Sequence, residues 1–286
     1  MGVLRLGAAR LLDERDSHAV SAVLRDDPVT SCMVAARVEA AGVDPWRLGG
    51  ELWGCDHRPV RGGQLDGLCF AGPNLIPLRG TRSVLRYFAD RALRRRRMCS
   101  SLVGPAEQVL GLWEELEPEW GPARDVRADQ PLLALYGAPA VPPDPLVRPV
   151  RSDELERYLP AAVAMFTEEV GIDPRMDDDG AGYRARVADL IASGRAFARF
   201  EDGEVVFKAE VGALSARVGQ IQGVWVHPDR RGQGVGTAGT AAVAERLVHG
   251  MGRIASLYVN GYNLAARSAY CRVGFTQVGR YATVLF

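Results

Sequence analysis

Two hydrophobic periods alternate along the second half of the chain, and the switches between them lay out its elements. Leu155, Leu159, Val163 and Phe166 recur at helical spacing behind Ser152, a residue type that caps helix N-termini. A second helix is predicted over 182–193. Period-two alternation takes over at 196–200. Asp202-Gly203 is a hairpin turn signal, 205–214 is the return strand, and 217–226 pairs next. A glycine-rich loop leads to a helix over 237–249, a strand over 254–259, a helix over 263–273 and a last strand over 275–286. With a short strand at 146–151 in front, the order is β-α-α-β-β-β-α-β-α-β. That order is α+β (mixed α/β).

The first half shows a rougher version of the same order. A strand is predicted at 3–12, helices at 16–24 and 29–41, and strands at 51–55 and 65–77. A helix at 81–95, a strand at 100–103, a helix at 107–116 and a strand at 130–136 follow. Between the halves, residues 137–145 read G-A-P-A-V-P-P-D-P. So many prolines cannot sit inside a helix or a central strand. The expected domains are therefore 1–137 and 146–286, joined by a proline-rich linker at 138–145. A chain of 286 residues suits two domains of ordinary size.

The most informative stretch is 224–240, V-W-V-H-P-D-R-R-G-Q-G-V-G-T-A-G-T. An apolar strand ends at Pro228. Gly232, Gly234 and Gly236 alternate just before the next helix. Glycine lets backbone N–H groups approach a ligand, and the helix N-terminus adds unpaired donors and partial positive charge. Together they form a cradle for phosphate or pyrophosphate. The G-x-x-x-x-G-K-[ST] loop is excluded, because Thr237 stands where its lysine would be. Gly234 to Gly239 matches G-x-G-x-x-G. However, no acidic residue ends the following strand, and the polar H-P-D-R-R turn is wrong for a dinucleotide site.

Arg231 with Gly234 and Gly236 forms R-x-x-G-x-G. Residues 263–275 read N-L-A-A-R-S-A-Y-C-R-V-G-F. In this order and at this spacing, the two motifs resemble those of the GNAT superfamily of N-acyltransferases, over roughly residues 146–286. The resemblance implies a GNAT fold in the C-terminal half, with a central mixed, mostly antiparallel sheet flanked by helices. The first half, which lacks both motifs, is then a degenerate GNAT-like domain, and the chain two tandem GNAT-like domains. It also implies acetyl-CoA as co-substrate, held by Val224, Trp225, Val226, Arg231, Gly232, Gln233, Gly234, Val235, Gly236 and Thr237, with Asn263 and Arg267. The strand backbone at 224–226 would pair with pantetheine, and Gly223 would mark a bulge that frees a donor for the thioester carbonyl.

Acyl transfer to an amine requires a proton acceptor for the amine and, less urgently, a donor for the thiolate. Tyr270 shares one helix face with Asn263 and Arg267, and the resemblance makes it the general acid. The alternative is a tyrosine packed in the core. Residues 217–228 hold no carboxylate, which leaves Glu210 on the preceding strand as the candidate base. His227 ranks below it, and the free amine could also be selected from solution. Glu168, Glu169, Asp173, Asp177, Asp178 and Asp179 form an acidic cluster. Glu168 and Glu169 of this cluster, with Gln222, are the candidate contacts to a cationic amine; a solvated acidic loop is the alternative for the cluster.

The expected activity is acetyl transfer to a primary amine of a small molecule or a peptide, by direct attack in a ternary complex. A non-catalytic acyl-CoA sensor or interaction protein is the alternative. Composition narrows the partners. Lys plus Arg and Asp plus Glu both total 35, so no global field favours nucleic acid or an anionic membrane. The run at 94–97 is all arginine, at a predicted helix C-terminus where cations complement the dipole and reach solvent. The 5 cysteines are scattered without C-x-x-C, so no metal site or disulfide framework is indicated. No apolar run is long enough to span a membrane, and a cytoplasmic protein is expected.

Overall fold

A computed structural model describes residues 9–57, 63–176 and 178–286. By contact the chain forms two units, Met1–Leu132 with Gln277–Phe286, and Leu133–Thr276.

The first unit runs β1 (Arg10–Leu11), α1 (Ser17–Asp26), α2 (Cys32–Ala41), α3 (Pro45–Leu48), β2 (Glu51–Asp56), β3 (Leu65–Ala71), β4 (Asn74–Arg79), α4 (Arg82–Leu93), β5 (Ser101–Pro105), α5 (Ala106–Trp120) and β6 (Asp125–Leu135). Residues 3–8 of the predicted first strand lie outside the described residues. The predicted strand at 65–77 is instead two strands, because the chain reverses at Gly72-Pro73 and pairs antiparallel with itself, Ala71 opposite Leu75. Helix α3 was not anticipated; Asp44 caps it, accepting from Trp46 N–H at 2.8 Å, and Pro45 opens it.

The second unit runs β7 (Arg148–Pro149), α6 (Leu155–Val170), α7 (Ala181–Ala192), β8 (Ala196–Glu201), β9 (Glu204–Leu214), β10 (Val218–Val226), α8 (Val235–Glu245), β11 (Ile254–Tyr258) and α9 (Leu264–Val273). Its strands are ordered β11-β10-β9-β8-β7, parallel between β10 and β11 and antiparallel elsewhere. One face packs Phe207, Val211, Ile221 and Leu257 with residues of α8 and α9. The other packs Trp225 and Ala198 with Tyr158, Ala162 and Ile191 of α6 and α7.

The last strand, β12 (Thr276–Leu285), corrects the expected boundary, because it was assigned to the C-terminal domain. It pairs antiparallel with β5, from Tyr281 opposite Pro105 to Leu285 opposite Ser101. Ala282 and Val284 enter the first unit's core, and Thr283 Oγ1 donates to Gln130 Oε1 at 2.7 Å. Nor is the proline-rich segment a free spacer. Ala140 N–H donates to Val273 O at 2.8 Å and Asp144 N–H to Ala238 O at 3.0 Å, both within the second unit.

Candidate functional site

The site starts where β10 and β11 part. Their parallel pairing joins Val218, Gly219 and Gln220 to Ile254, Ala255 and Ser256, and no further register pairs are made. Beyond Gln220, β10 therefore presents a bare edge. On its other side β10 stays paired with β9, with an extra residue between the Gln222–Glu210 and Trp225–Lys208 pairs. Gly223 lies in this bulge at φ +58°, as anticipated. His227 N–H donates to Val206 O at 3.0 Å, toward β9. Antiparallel alternation then turns Trp225 toward β9 as well, and Val224 and Val226 toward the bare edge.

The edge leads into the glycine loop. Gly232 and Gly234 hold φ of +75° and +81°, and a Cβ on either would meet nothing within 4 Å. They are glycine for their backbone conformation, with open space above them. Helix α8 begins at Val235, two residues earlier than the sequence pattern placed it, and its N-cap Gly234 makes no side-chain cap bond. The first in-helix donor is Ala238 N–H, to Gly234 O at 3.0 Å. The N–H groups of Val235, Gly236 and Thr237 thus have no acceptor one turn back. Gly239, which completes the G-x-G-x-x-G string, has another reason: a Cβ there would lie 2.6 Å from the Phe207 ring. That glycine lets α8 pack on β9.

Arg231 does not point into the cradle. Its Nε donates to Val226 O at 3.0 Å and its Nη2 to Glu168 Oε2 at 2.8 Å. Trp225 Nε1 also donates to Glu168, at 2.9 Å. Glu168, assigned from the sequence to the acceptor rim, instead ties the loop to α6. Gln233 Nε2 donates to Asp229 O at 2.8 Å, which braces the loop from within.

Tyr270 on α9 is 7 % exposed, its ring packed edge-on against Phe275. Burial, and secondly the negative charge of Glu169, push its phenol well above the ordinary tyrosine range. Asn263 caps α9, its Oδ1 accepting from Ala266 N–H at 3.1 Å, and Arg267 donates to Gly261 O at 2.9 Å. Glu169 lies in the last turn of α6, and Asn260, which is 5 % exposed, donates Nδ2 to its Oε1 at 3.1 Å. Asn260 was missed; only its place just beyond β11, at the open end of the fork, could have signalled it.

Glu210 is not a free carboxylate. Its Oε1 accepts from Lys208 Nζ at 2.6 Å and from Tyr158 OH at 3.3 Å. Lys208, the only lysine of the chain, is fully buried. Desolvation pushes its ammonium below the ordinary lysine range against the opposing pull of Glu210. A Cβ on Gly223 would fall 3.1 Å from Lys208 Nζ, so the pair lies directly beneath the bulge. The Gln222 amide lies flat over Gly212, where a Cβ would come within 2.0 Å of it. Asp173 is held by Arg175 at 2.7 Å. Asp177 and the Asp178 side chain lie outside the described residues.

An edge strand, a bulge and a glycine loop opening an uncapped helix are the parts the GNAT resemblance calls for. Residues 161–275 match the profile described as "Acetyltransferase (GNAT) family". These residues form a GNAT-family domain. Residues 50–158 match a profile described as a domain of unknown function, DUF4081. No curated protein matches the sequence. Among solved structures, a Drosophila protein is similar at 12% identity and TM-score 0.65, over 98% of this chain and 99% of its own. A GCN5-related N-acetyltransferase from Sphaerobacter thermophilus aligns at 17% identity and TM-score 0.57, over 99% and 96%. A tandem GNAT protein from the clavulanic acid biosynthesis pathway aligns at 13% identity and TM-score 0.53, over 98% of each chain. At these identities the likeness is one of fold, and it extends over both halves. Among the described residues no helix is long and apolar enough to cross a membrane.

Proposed function

We propose that the second unit transfers an acetyl group from acetyl-CoA to a primary amine of a small molecule or peptide, by direct attack in a ternary complex. The observation that carries this reading is the bare edge of β10, running from the Gly223 bulge to the uncapped start of α8. The residues present fit the co-substrate. The N–H groups of Val235, Gly236 and Thr237 and the open space over Gly232 and Gly234 suit a pyrophosphate. The Val224 N–H and C=O and the Val226 N–H are offered to the pantetheine amides in the manner of an added strand, while Val226 O already accepts from Arg231. Asn263 and Arg267, in the first turn of α9, are further candidate contacts to the co-substrate. Arg231 acts by bracing the loop to Glu168.

The thioester supplies an acyl group already activated for attack. Backbone N–H groups at the bulge polarise its carbonyl oxygen. Glu169, oriented by Asn260, takes the proton that the amine nitrogen loses as its bond to the acyl carbon forms. Tyr270 gives a proton to sulfur as the carbon–sulfur bond breaks. The products are the amide and the CoA thiol, and water restores both side chains. Glu169 is preferred over Glu210 because Lys208 and Tyr158 already hold the Glu210 carboxylate. The raised pKa of Tyr270 keeps it protonated at neutral pH, the state a proton donor needs.

Tyr270→Phe tests this reading. The variant keeps the ring and its packing. Acetyl-CoA affinity should be retained while kcat drops about 10²-fold, as for loss of a positioned acid. Because the phenol's pKa is raised, any alkaline limb it causes in the wild-type profile should lie above about pH 10 and vanish in the variant. Full kcat at saturating amine would make Tyr270 a packing residue.

A further inference from the structure

The run at 94–97 reaches solvent at the end of α4, as expected, and three of its arginines also line a cavity. Within the first unit, Arg91, Arg95, Arg96 and Arg97 line a cavity of about 410 Å³, roofed by Trp53 and Trp120. That volume is the size of a small-ligand pocket. The cavity lies at the start of β4 and the end of α4, opposite the Gly80-Thr81 turn where an acyl-CoA loop would stand in a GNAT-like unit. It is therefore a different site from a vestigial CoA cleft.

Its charge is one-sided, with four arginines facing one carboxylate, Glu51. Glu51 accepts from Arg95 at 2.7 Å, from Trp53 Nε1 at 2.7 Å and from Arg91 Nη2 at 3.4 Å. These contacts fix Arg91 and Arg95 in place and leave cationic capacity over. Arg91 Nε is buried with no hydrogen-bond acceptor. Arg96 has neither an ion pair nor a hydrogen bond among the described residues. The C-terminus of α4 contributes only about half a negative charge against the guanidinium groups. The rest of the lining is apolar, including Leu75, Pro73 and Met98. Arg91 lies 5.4 Å over the Trp53 ring and Arg97 4.2 Å over that of Phe286, so the guanidinium planes are set by aromatic faces.

We propose that this cavity binds a phosphate monoester with an apolar or aromatic body. A phosphate dianion matches the surplus cationic charge and accepts from several guanidinium groups at once, which a monocarboxylate does less well. The apolar lining takes the body. The site is independent of the reaction proposed for the second unit.

The test is calorimetric titration of the full chain with 2-naphthyl phosphate at pH 8, where the ester is a dianion. 2-Naphthoate, 2-naphthol and inorganic phosphate are the comparison ligands. Naphthyl phosphate should saturate one site with Kd below about 1 mM, at least about tenfold tighter than each of the others. Arg96→Gln, which removes an unpaired side chain, should weaken it about tenfold, the scale of a lost charge-assisted hydrogen bond. Arg94→Gln alters the run outside the cavity lining and should leave Kd unchanged. Saturating CoA should also leave it unchanged. The proposal is overturned by no saturation at millimolar ligand, by equal or better binding of naphthoate, or by equal effects of the two arginine variants. Displacement by CoA would overturn it too, by placing the probe in the glycine loop of the second unit.

Discussion

Lys208→Met isolates the buried ion pair under the bulge. The variant keeps the length and apolar stem of the side chain and removes only the ammonium. Glu210, which is 4 % exposed, is left with the Tyr158 hydroxyl at 3.3 Å as its donor. It can stay charged, which costs about 3–5 kcal/mol for a buried pair broken on one side. It can instead take up a proton, which at pH 7 costs about 3.7 kcal/mol from an ordinary glutamate pKa near 4.3, at 1.36 kcal/mol per unit. The cheaper route sets the loss, so about 3–4 kcal/mol is expected at pH 7. The second route gives the loss a pH signature. Glu210 in the variant has a folded pKa above its unfolded value, so the cost shrinks as pH falls, to about 1 kcal/mol at pH 5. Adding Glu210→Gln removes the stranded charge and should recover most of the loss. Urea denaturation at both pH values, followed at the Trp225 resonance by fluorine NMR of fluorotryptophan-labelled protein, reads the second unit, which holds no other tryptophan. A loss of about 3 kcal/mol corresponds to a Tm drop of roughly 10 °C for a unit of this size. The reasoning fails if Lys208→Met loses less than about 1 kcal/mol at pH 7, if the loss is equal at both pH values, or if the double variant is as unstable as the single.

Gly234→Val places a β-branched residue at φ +81° and should abolish CoA stabilisation, which in the wild type reaches about 2.7 kcal/mol at a hundredfold excess over Kd. The CoA stoichiometry should be one per chain, because Thr81 Oγ1 already caps the matching helix of the first unit; two equivalents would contradict this. Glu154, held by Arg148 and Arg151 to a pKa of about 2, should stabilise the fold above about pH 4.5, a gain lost as pH falls toward 2. Since those arginines are 41% and 59% exposed, the gain should be about 1–2 kcal/mol, and Glu154→Gln should flatten the acid limb of a Tm-against-pH curve.

Much of the second unit was legible along the chain. Helical spacing at Leu155, Leu159 and Val163, alternation through β8 to β10 and the string of glycines are local signals, because periodicity and turn chemistry need only neighbouring residues. The positive φ of Gly223, Gly232 and Gly234 follows from the same kind of reading. Partnership did not. The pattern of β12 predicts a strand, but nothing in it selects β5 as the strand it joins, since pairing couples residues far apart in sequence. The same holds for charge. Glu168 and Glu169 are adjacent and look alike in the sequence, yet one turns to Trp225 and Arg231 and the other to Asn260. Lys208 and Glu210, two residues apart on β9, share a strand face by period two, but only packing shows that both are buried. The run at 94–97 is the solvated helix end that the sequence indicates, and only packing sets β2, β4 and Trp120 beside it to form a cavity. The sequence by itself determined the elements and the phosphate cradle, which short-range geometry specifies. The tertiary structure decided which carboxylates are held by cations and where the last strand pairs, because these depend on distances that only packing sets.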